Sequence, residues 1–187
     1  VQLAQSGWRL MLQRIGTIRD MSRLEVGQMP LRQIAFDLSD LVSTVIRLQG
    51  SLAGDKQVQL VNDLPATLPL VWADADIIER VLQNLVGNAI KFTPAGGVVR
   101  VSARVAEGAS PKVLVSVSDT GAGIPPELRD RLFSKFAIGQ QRGRGTGLGL
   151  AFCKLALEAH GEAIWAENLP DRGATFTFSL PLAPMEG

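Results

Sequence analysis

The chain has 187 residues, enough for one main domain with a sizeable core and an appendage. Its 19 basic and 18 acidic residues leave a net charge of +1, which gives no electrostatic case for nucleic-acid binding. The single cysteine, Cys153, excludes a disulfide within the chain and is expected to be a buried structural thiol. No apolar run reaches the roughly 20 residues that a membrane span needs.

Residues 3–26 are predicted to form one long amphipathic helix. Its apolar residues recur at a spacing near 3.5 between Trp8 and Met21, and Gly27 and Pro30 end it. A single helix cannot bury such a stripe alone, so the helix needs a partner. We therefore expect three parts: the helix within residues 1–26, a linker at 27–36 and the main domain at 37–187.

The main domain alternates short strands with helices. Its first helix is capped by Asp37 or Ser39 and runs to about Leu52. Three helices on one face of a mostly antiparallel, mixed sheet form an α+β two-layer sandwich. The predicted strands are residues 58–62, 68–72, 98–105, 113–118, 163–167 and 175–180, with a hairpin joining the third to the fourth.

A glycine-rich stretch at residues 143–150 runs into an apolar helix that begins near Leu148. Five glycines fall between Gly139 and Gly149. Bare backbone and a helix N-terminus favour phosphate binding. The stretch matches neither the Walker A spacing nor the dinucleotide fingerprint that follows a strand directly. Taken alone, a flexible linker explains these glycines equally well.

A second polar motif lies on the predicted helix that precedes Pro94. Apolar residues from Ile78 to Ala89 recur at helical spacing, whereas Asn84, Asn88 and Lys91 share a different face. Amide oxygens and an ammonium group suit Mg²⁺ with its phosphates. An ordinary solvated helix face is the alternative.

Together, these motifs resemble those of the GHKL superfamily, and within it the catalytic ATP-binding domain of sensor histidine kinases. The resemblance covers residues 58–182, implies the Bergerat ATP-binding fold, and likens residues 18–27 to the end of a dimerisation and histidine-phosphotransfer domain. The F box departs from the pattern, because Ala137-Ile138 follows it where an aromatic or basic residue is common. The four motifs are the N box at 84–94, the G1 box at 119–123, the F box at 132–136 and the G2 box at 143–150.

The resemblance implies a role for each matching residue. Asp119 accepts the adenine amino group, and Gly121 and Gly123 let the backbone approach the base; otherwise Asp119 is a turn-forming aspartate. Thr175 supports adenine through water, Asn88 holds Mg²⁺, and Lys91 offsets phosphate charge. The other residues assigned to the ATP site are Ile124, Phe136, Gly145, Thr146, Gly147, Leu148, Gly149 and Leu150.

Asn84 distinguishes a kinase from a hydrolase in this resemblance. Gyrase-type and chaperone ATPases carry a glutamate at the matching position, which activates water. An amide cannot take up a proton at pH 7, so transfer to an external nucleophile is favoured. Arg142 adds positive charge near the γ-phosphate, or is a solvated loop charge. The lid at residues 129–144 is expected to become ordered when nucleotide binds.

The only histidine, His160, is expected to be structural. It ends the last helix before Gly161 and lacks the setting of a phosphoacceptor. The acceptor is therefore expected on a helix upstream of this chain.

The resemblance implies the ATP-binding catalytic portion of a two-component sensor histidine kinase, with ATP and Mg²⁺ as cofactors. Its implied partners are the upstream phosphoacceptor helix, a response-regulator receiver domain and a second copy in a homodimer, with no nucleic acid. The implied location is cytoplasmic, in a parent that is either soluble or membrane-anchored. Two alternatives remain: a nucleotide-gated interaction module without phosphotransfer, and a Ser/Thr kinase of the anti-sigma type.

Overall fold

The computed structural model of the protein describes residues 19–137 and 147–184. Its strands are β1 (Ile34–Phe36), β2 (Gln59–Asp63), β3 (Val71–Ala73), β4 (Val98–Ala106), β5 (Lys112–Asp119), β6 (Ile164–Asn168) and β7 (Ala174–Pro181). Five of them form the main sheet in the order β2-β4-β5-β7-β6, and β1 and β3 form a small antiparallel pair.

The centre of the sheet is a hairpin of alternating valines. Val101 of β4 pairs with Val117 of β5, and both side chains are buried. Period-two alternation places every second valine on the core face of the sheet. Only β2 and β4 run parallel among these pairs. The mostly antiparallel mixed sheet and its hairpin are therefore confirmed.

Three helices pack on one face of the sheet, which confirms the two-layer sandwich. Aspartates cap the first two, because Asp37 accepts the Ser39 N–H and Asp74 accepts the Ile77 N–H. Such caps are each worth about 1 kcal/mol. These helices are α2 (Leu38–Asp55), α3 (Ala75–Phe92) and α4 (Gly149–Ala159), since α1, residues 19–25, precedes the sandwich; a short 3₁₀ helix spans Pro126–Arg131.

Three segments differ from the sequence prediction by more than one residue. Helix α2 ends at Asp55 rather than near Leu52, since Ala53 is still buried against the core. The strand predicted at residues 68–72 is only β3, because Pro69 lacks the N–H that a ladder needs. The last three residues of the predicted linker form β1, which pairs with β3.

The described part of the predicted N-terminal helix is α1, residues 19–25. Met21 and Leu24 are buried in the same core as the sandwich. Asp20 pairs with Arg80 of α3 at 2.8 Å, and Glu25 pairs with Lys135 at 2.6 Å. The partner of this part of the apolar stripe is therefore the α+β sandwich itself. Trp8 and the remainder of residues 3–18 lie outside the described residues.

Among the described residues, no helix combines the length and the apolar character needed to span a membrane.

Candidate functional site

Asp119 is the last residue of β5, and its side chain is buried at the edge of the sheet. The residue is only 5% exposed, and the Gly121 N–H donates to its Oδ1 at 2.7 Å. Burial raises the pKa of Asp119 above its ordinary value, while backbone hydrogen bonds from Gly121 and Ala174 act in the opposite direction. A carboxylate has about four lone-pair sites, so these two bonds leave capacity for another donor.

Gly121 and Gly173 lie so close to Asp119 that a side chain at either position would overlap neighbouring atoms. A Cβ built on Gly121 would lie 2.7 Å from Asp119 Oδ1 and 2.7 Å from the Phe92 carbonyl oxygen. At Gly173, with φ of +97°, a Cβ would lie only 1.8 Å from the Asp119 carbonyl oxygen. The sequence predicted close approach of a nucleotide at Gly121. The structure adds that Gly121 lies close to the Phe92 carbonyl and Gly173 close to the Asp119 carbonyl.

The G1 loop, residues 120–124, is held by the β6–β7 hairpin, whose turn lies beside the end of β5. Asn168 accepts the Ile124 N–H at 2.7 Å and donates to the Ile124 carbonyl at 3.0 Å. Arg172 donates from Nε to the Gly121 carbonyl at 3.3 Å. Neither Asn168 nor Arg172 was predicted as a site residue. A polar residue at the end of a predicted strand was the only sequence signal for Asn168.

The polar residues of α3 lie off its buried face, as the sequence predicted. Asn84, Asn88 and Lys91 are all partly exposed. Asn84 donates from Nδ2 to the Arg80 carbonyl at 2.9 Å, and its Oδ1 lies 2.8 Å from where a Cβ on Gly149 would stand. The N box therefore touches the first residue of α4.

Helix α3 carries the N box and contacts both the G1 loop and the G2 box. Its last residue, Phe92, contacts Gly121 of the G1 loop, and Asn84 contacts Gly149 of the G2 box. Lys56 donates from its ammonium to the carbonyls of Ile90 and Lys91, which satisfies acceptors at the C-terminal end of α3. The Lys91 ammonium lies 4.7 Å from the Phe92 ring centroid.

The F box and the G2 box meet where Phe136 lies against Gly147. The Phe136 N–H donates to the Gly147 carbonyl at 3.0 Å, and a Cβ on Gly147 would lie 2.8 Å from Phe136 Cα. Phe136 itself is 63% exposed, with φ of +60°. The predicted residues Arg142, Gly145 and Thr146 lie outside the described residues, as does most of the C-terminal half of the predicted lid.

Four more of the predicted site residues lie within the described part of the chain. Thr175 of β7 pairs with Ser118, next to Asp119, so it lies at the same strand end. Leu148 is buried in the core, and Leu150 packs against that core. Ile124 is also buried.

His160 makes the structural contacts that its position predicted. It caps α4, its Nδ1 lies 2.7 Å from the Ala156 carbonyl, and its Nε2 accepts the Asp74 N–H at 3.1 Å. Accepting at Nε2 and donating at Nδ1 requires a neutral ring protonated on Nδ1. Asp74 also accepts the Arg32 N–H, so this buried cluster ties the linker to α3 and α4.

Cys153 is fully buried in α4, as predicted. Its thiol donates to the Val81 carbonyl at 3.7 Å, and burial raises its pKa far above the ordinary value. A thiol in this state is inert.

The buried carboxyl of Asp119 predicts a pH dependence. Its folded-state pKa is raised, so its contribution to stability is fully present below the unfolded value of 3.8 and is lost as pH rises through the folded value. The free energy of unfolding of the variant Asp119→Asn should therefore rise relative to wild type between about pH 3 and pH 7. Urea unfolding at several pH values measures this difference; a pH-independent difference would contradict it.

The structure is an α+β sandwich with three polar features at one edge. They are Asp119 at the end of β5, the asparagines of α3 and the glycines at the start of α4. This arrangement is that of a nucleotide-binding domain. A family model described as "Histidine kinase-, DNA gyrase B-, and HSP90-like ATPase" matches residues 73–184, and the chain belongs to this family.

Several relatives match nearly the whole chain. The adaptive-response sensory kinase SasA of Microcystis aeruginosa is 36% identical over 183 residues, which are 97% of this chain and 47% of that protein. The sensor histidine kinase TmoS of Ectopseudomonas mendocina is 35% identical over 190 residues, which cover 100% of this chain and 19% of that protein. The chain therefore spans about half of SasA and a smaller share of TmoS.

Solved structures agree with the fold. Full-length ShkA in complex with AMPPNP matches 98% of this chain and 38% of that chain, with a TM-score of 0.84 and 31% identity. The catalytic domain of the histidine kinase ThkA matches 83% of this chain and 100% of that chain, with a TM-score of 0.71 and 32% identity. The predicted resemblance is confirmed: the chain carries a domain of this ATPase family and is similar to the ATP-binding catalytic portion of sensor histidine kinases.

Proposed function

We propose that this chain binds Mg²⁺-ATP at the edge of the sheet and transfers the γ-phosphoryl group to a histidine that precedes it in the whole protein. The observation that carries the proposal is the buried Asp119 carboxylate, which retains accepting capacity at the junction of the G1 loop with α3. The names of the relatives and the AMPPNP complex of ShkA support it.

The base is recognised through Asp119. A carboxylate there accepts from the amino group of adenine, whereas guanine presents a carbonyl oxygen and is repelled. Thr175 lies beside Asp119 on the neighbouring strand and supports the same base through water. Gly121 has no side chain, so the Asp119 carboxylate can occupy the space next to it.

The phosphates lie between the α3 polar face and the start of α4. Within the described ranges, no three His, Cys, Asp or Glu side chains are grouped so as to hold a metal ion. Mg²⁺ commonly binds through one protein oxygen, phosphates and water, and the partly exposed carboxamide of Asn88 fits that role. Bound with nucleotide, Mg²⁺ neutralises charge on the phosphate oxygens. Lys91 adds a cation, and the α4 N-terminus adds N–H donors at Gly149.

Transfer is favoured over hydrolysis by Asn84. Its Nδ2 is committed to the Arg80 carbonyl, and its Oδ1 faces Gly149. Neither atom of a carboxamide takes up a proton at neutral pH, so water near the phosphates gains no general base from Asn84. Phosphoryl transfer needs mainly positioning and charge neutralisation, which these residues supply, with Arg142 as an added cation.

The wider assignment follows the division of the chain. Residues 1–26 are the end of a dimerisation and phosphotransfer domain, 27–36 a linker and 37–187 the catalytic domain. The proposed partners are the upstream acceptor helix, a second copy and a response-regulator receiver domain. The proposed location is the cytoplasm.

Removing the Asn88 carboxamide should abolish the magnesium dependence of binding. Calorimetry on wild type should show ATP binding that Mg²⁺ strengthens and no GTP binding, and Asn88→Ala should weaken Mg²⁺-ATP at least about tenfold. Gln83→Ala is the control, because it removes a carboxamide that is likewise partly exposed but lies on another face of α3. Unchanged Mg²⁺-ATP affinity in Asn88→Ala would exclude this metal assignment.

Phosphate transfer is the second arm of the experiment. The chain is mixed with γ-labelled ATP and a separate acceptor-helix domain, and labelled histidine is expected. ATP binding without transfer would favour a nucleotide-gated module, and label on serine or threonine would favour the anti-sigma type of kinase.

A further inference from the structure

The side chain of Asn168 pairs with the backbone of the G1 loop as a neighbouring strand would. Its Oδ1 accepts the Ile124 N–H at 2.7 Å, and its Nδ2 donates to the carbonyl of the same residue at 3.0 Å. Both backbone groups of one loop residue are thereby satisfied by one side chain. The two bonds fix the orientation of the Ile124 peptide units, which a single bond would not do.

The turn that follows Asn168 contacts the start of the same loop, next to Asp119. Leu169 and Gly173 close the turn, with the Leu169 N–H donating to the Gly173 carbonyl at 3.0 Å. Gly173 packs directly on the Asp119 carbonyl, and Arg172 donates to the Gly121 carbonyl. The turn therefore contacts the loop at its start, and Asn168 at the end of β6 contacts the loop at its end.

The loop needs such contacts because residues 120–125 belong to no helix or strand. The Gly121 N–H must stay on Asp119 Oδ1 if the second carboxylate oxygen is to keep its direction. Glycines at 121 and 123 leave this backbone much conformational freedom. An external side chain that fixes residue 124 restricts that freedom.

We propose that Asn168 is a positioning residue for adenine recognition, which acts by holding the G1 loop so that Asp119 faces the base. The inference rests on the proposed ATP site. Both polar atoms of the Asn168 carboxamide bond to the loop, and the residue is itself exposed. Its replacement should therefore reduce nucleotide affinity more than it reduces stability, since substitutions at exposed positions usually change stability little.

The test compares Asn168→Ala and Asn168→Asp with Asn62→Ala in the full 187-residue chain. Asn62 is an exposed asparagine on β2, at the opposite edge of the sheet, whose carboxamide also makes two hydrogen bonds, one to Ser43 and one from the Leu64 N–H. Asn168→Asp keeps the acceptor for the Ile124 N–H but places an oxygen against the Ile124 carbonyl. Calorimetry gives ATP, ADP and inorganic triphosphate affinities, and hydrogen exchange reports the Ile124 amide.

Asn168→Ala should weaken ATP and ADP equally, each by about tenfold, because two hydrogen bonds that hold the loop are lost. Affinity for inorganic triphosphate and the magnesium dependence should be unchanged, and exchange at Ile124 should accelerate. Asn168→Asp should fail to restore affinity, and Asn62→Ala should bind like wild type.

Three results would overturn the proposal. Wild-type ATP affinity in Asn168→Ala and Asn168→Asp would show that the loop is positioned without this side chain. Equal losses for ATP and inorganic triphosphate would show a general structural role. Absence of ATP binding by wild type would overturn the proposed function as well, which distinguishes that failure from the first two.

Discussion

Gly173→Ala is expected to lower the free energy of unfolding by about 4 kcal/mol or more and to abolish ATP binding. The new Cβ would stand 1.8 Å from the Asp119 carbonyl oxygen, and that oxygen belongs to the end of a central strand. Backbone on both sides must move to remove the overlap. The φ of +97° adds strain for any residue with a Cβ. Urea unfolding followed by tryptophan fluorescence measures the loss.

Gly161→Ala is the matched control for this variant. Gly161 also has a positive φ, of +72°, but a Cβ there meets no atom within 4 Å. Its cost should be only the conformational strain, about 1 kcal/mol. Similar losses in the two variants would show that backbone conformation, rather than the contact with Asp119, sets the cost at Gly173.

Asp119→Asn is expected to weaken ATP binding by about 100-fold while leaving the chain at least as stable as wild type at neutral pH. One amide oxygen can still accept the Gly121 N–H, but the other position then presents an NH₂ group to the adenine amino group. Two donors facing each other leave both unpaired. Stability does not fall, because the substitution removes a carboxylate that burial disfavours.

Calorimetry and urea unfolding on the same sample separate these two effects. Asp63→Asn is the control, since Asp63 also ends a strand but is exposed and pairs with Arg100 at 3.0 Å. It should bind ATP like wild type. ATP affinity retained in Asp119→Asn would remove Asp119 from base recognition, and a large loss of stability would point to a purely structural carboxylate.

Regular patterns in the sequence were sufficient for most of the fold. Alternating valines predicted β4 and β5 within one residue at each end, because one face of each strand is buried. Helical spacing likewise separated the buried face of α3 from its asparagine face. The pair β1–β3 could not be predicted, since three-residue strands joined across nearly 40 residues carry too little local pattern.

The site residues on helices and strands could be predicted from the sequence. The contacts between the β6–β7 hairpin and the G1 loop could not. Asp119 follows from its place at the end of an apolar strand. The contacts of Asn168 with Ile124 span 44 residues and depend on how β6 meets the loop. Gly173 is required because of Asp119, and no local pattern in the turn indicates that contact. Tertiary contacts decide these positions, and the local sequence does not contain them.

The burial of Cys153 gives this chain an internal reporter of its own unfolding. It is the single cysteine of the 187 residues, it lies against α3 in the centre of the helix layer, and its thiol is held in the unreactive protonated form. A thiol reagent can modify it only in molecules in which α4 has separated from α3. The rate of modification thus follows the opening of the helix layer beneath the G2 box, with no added label.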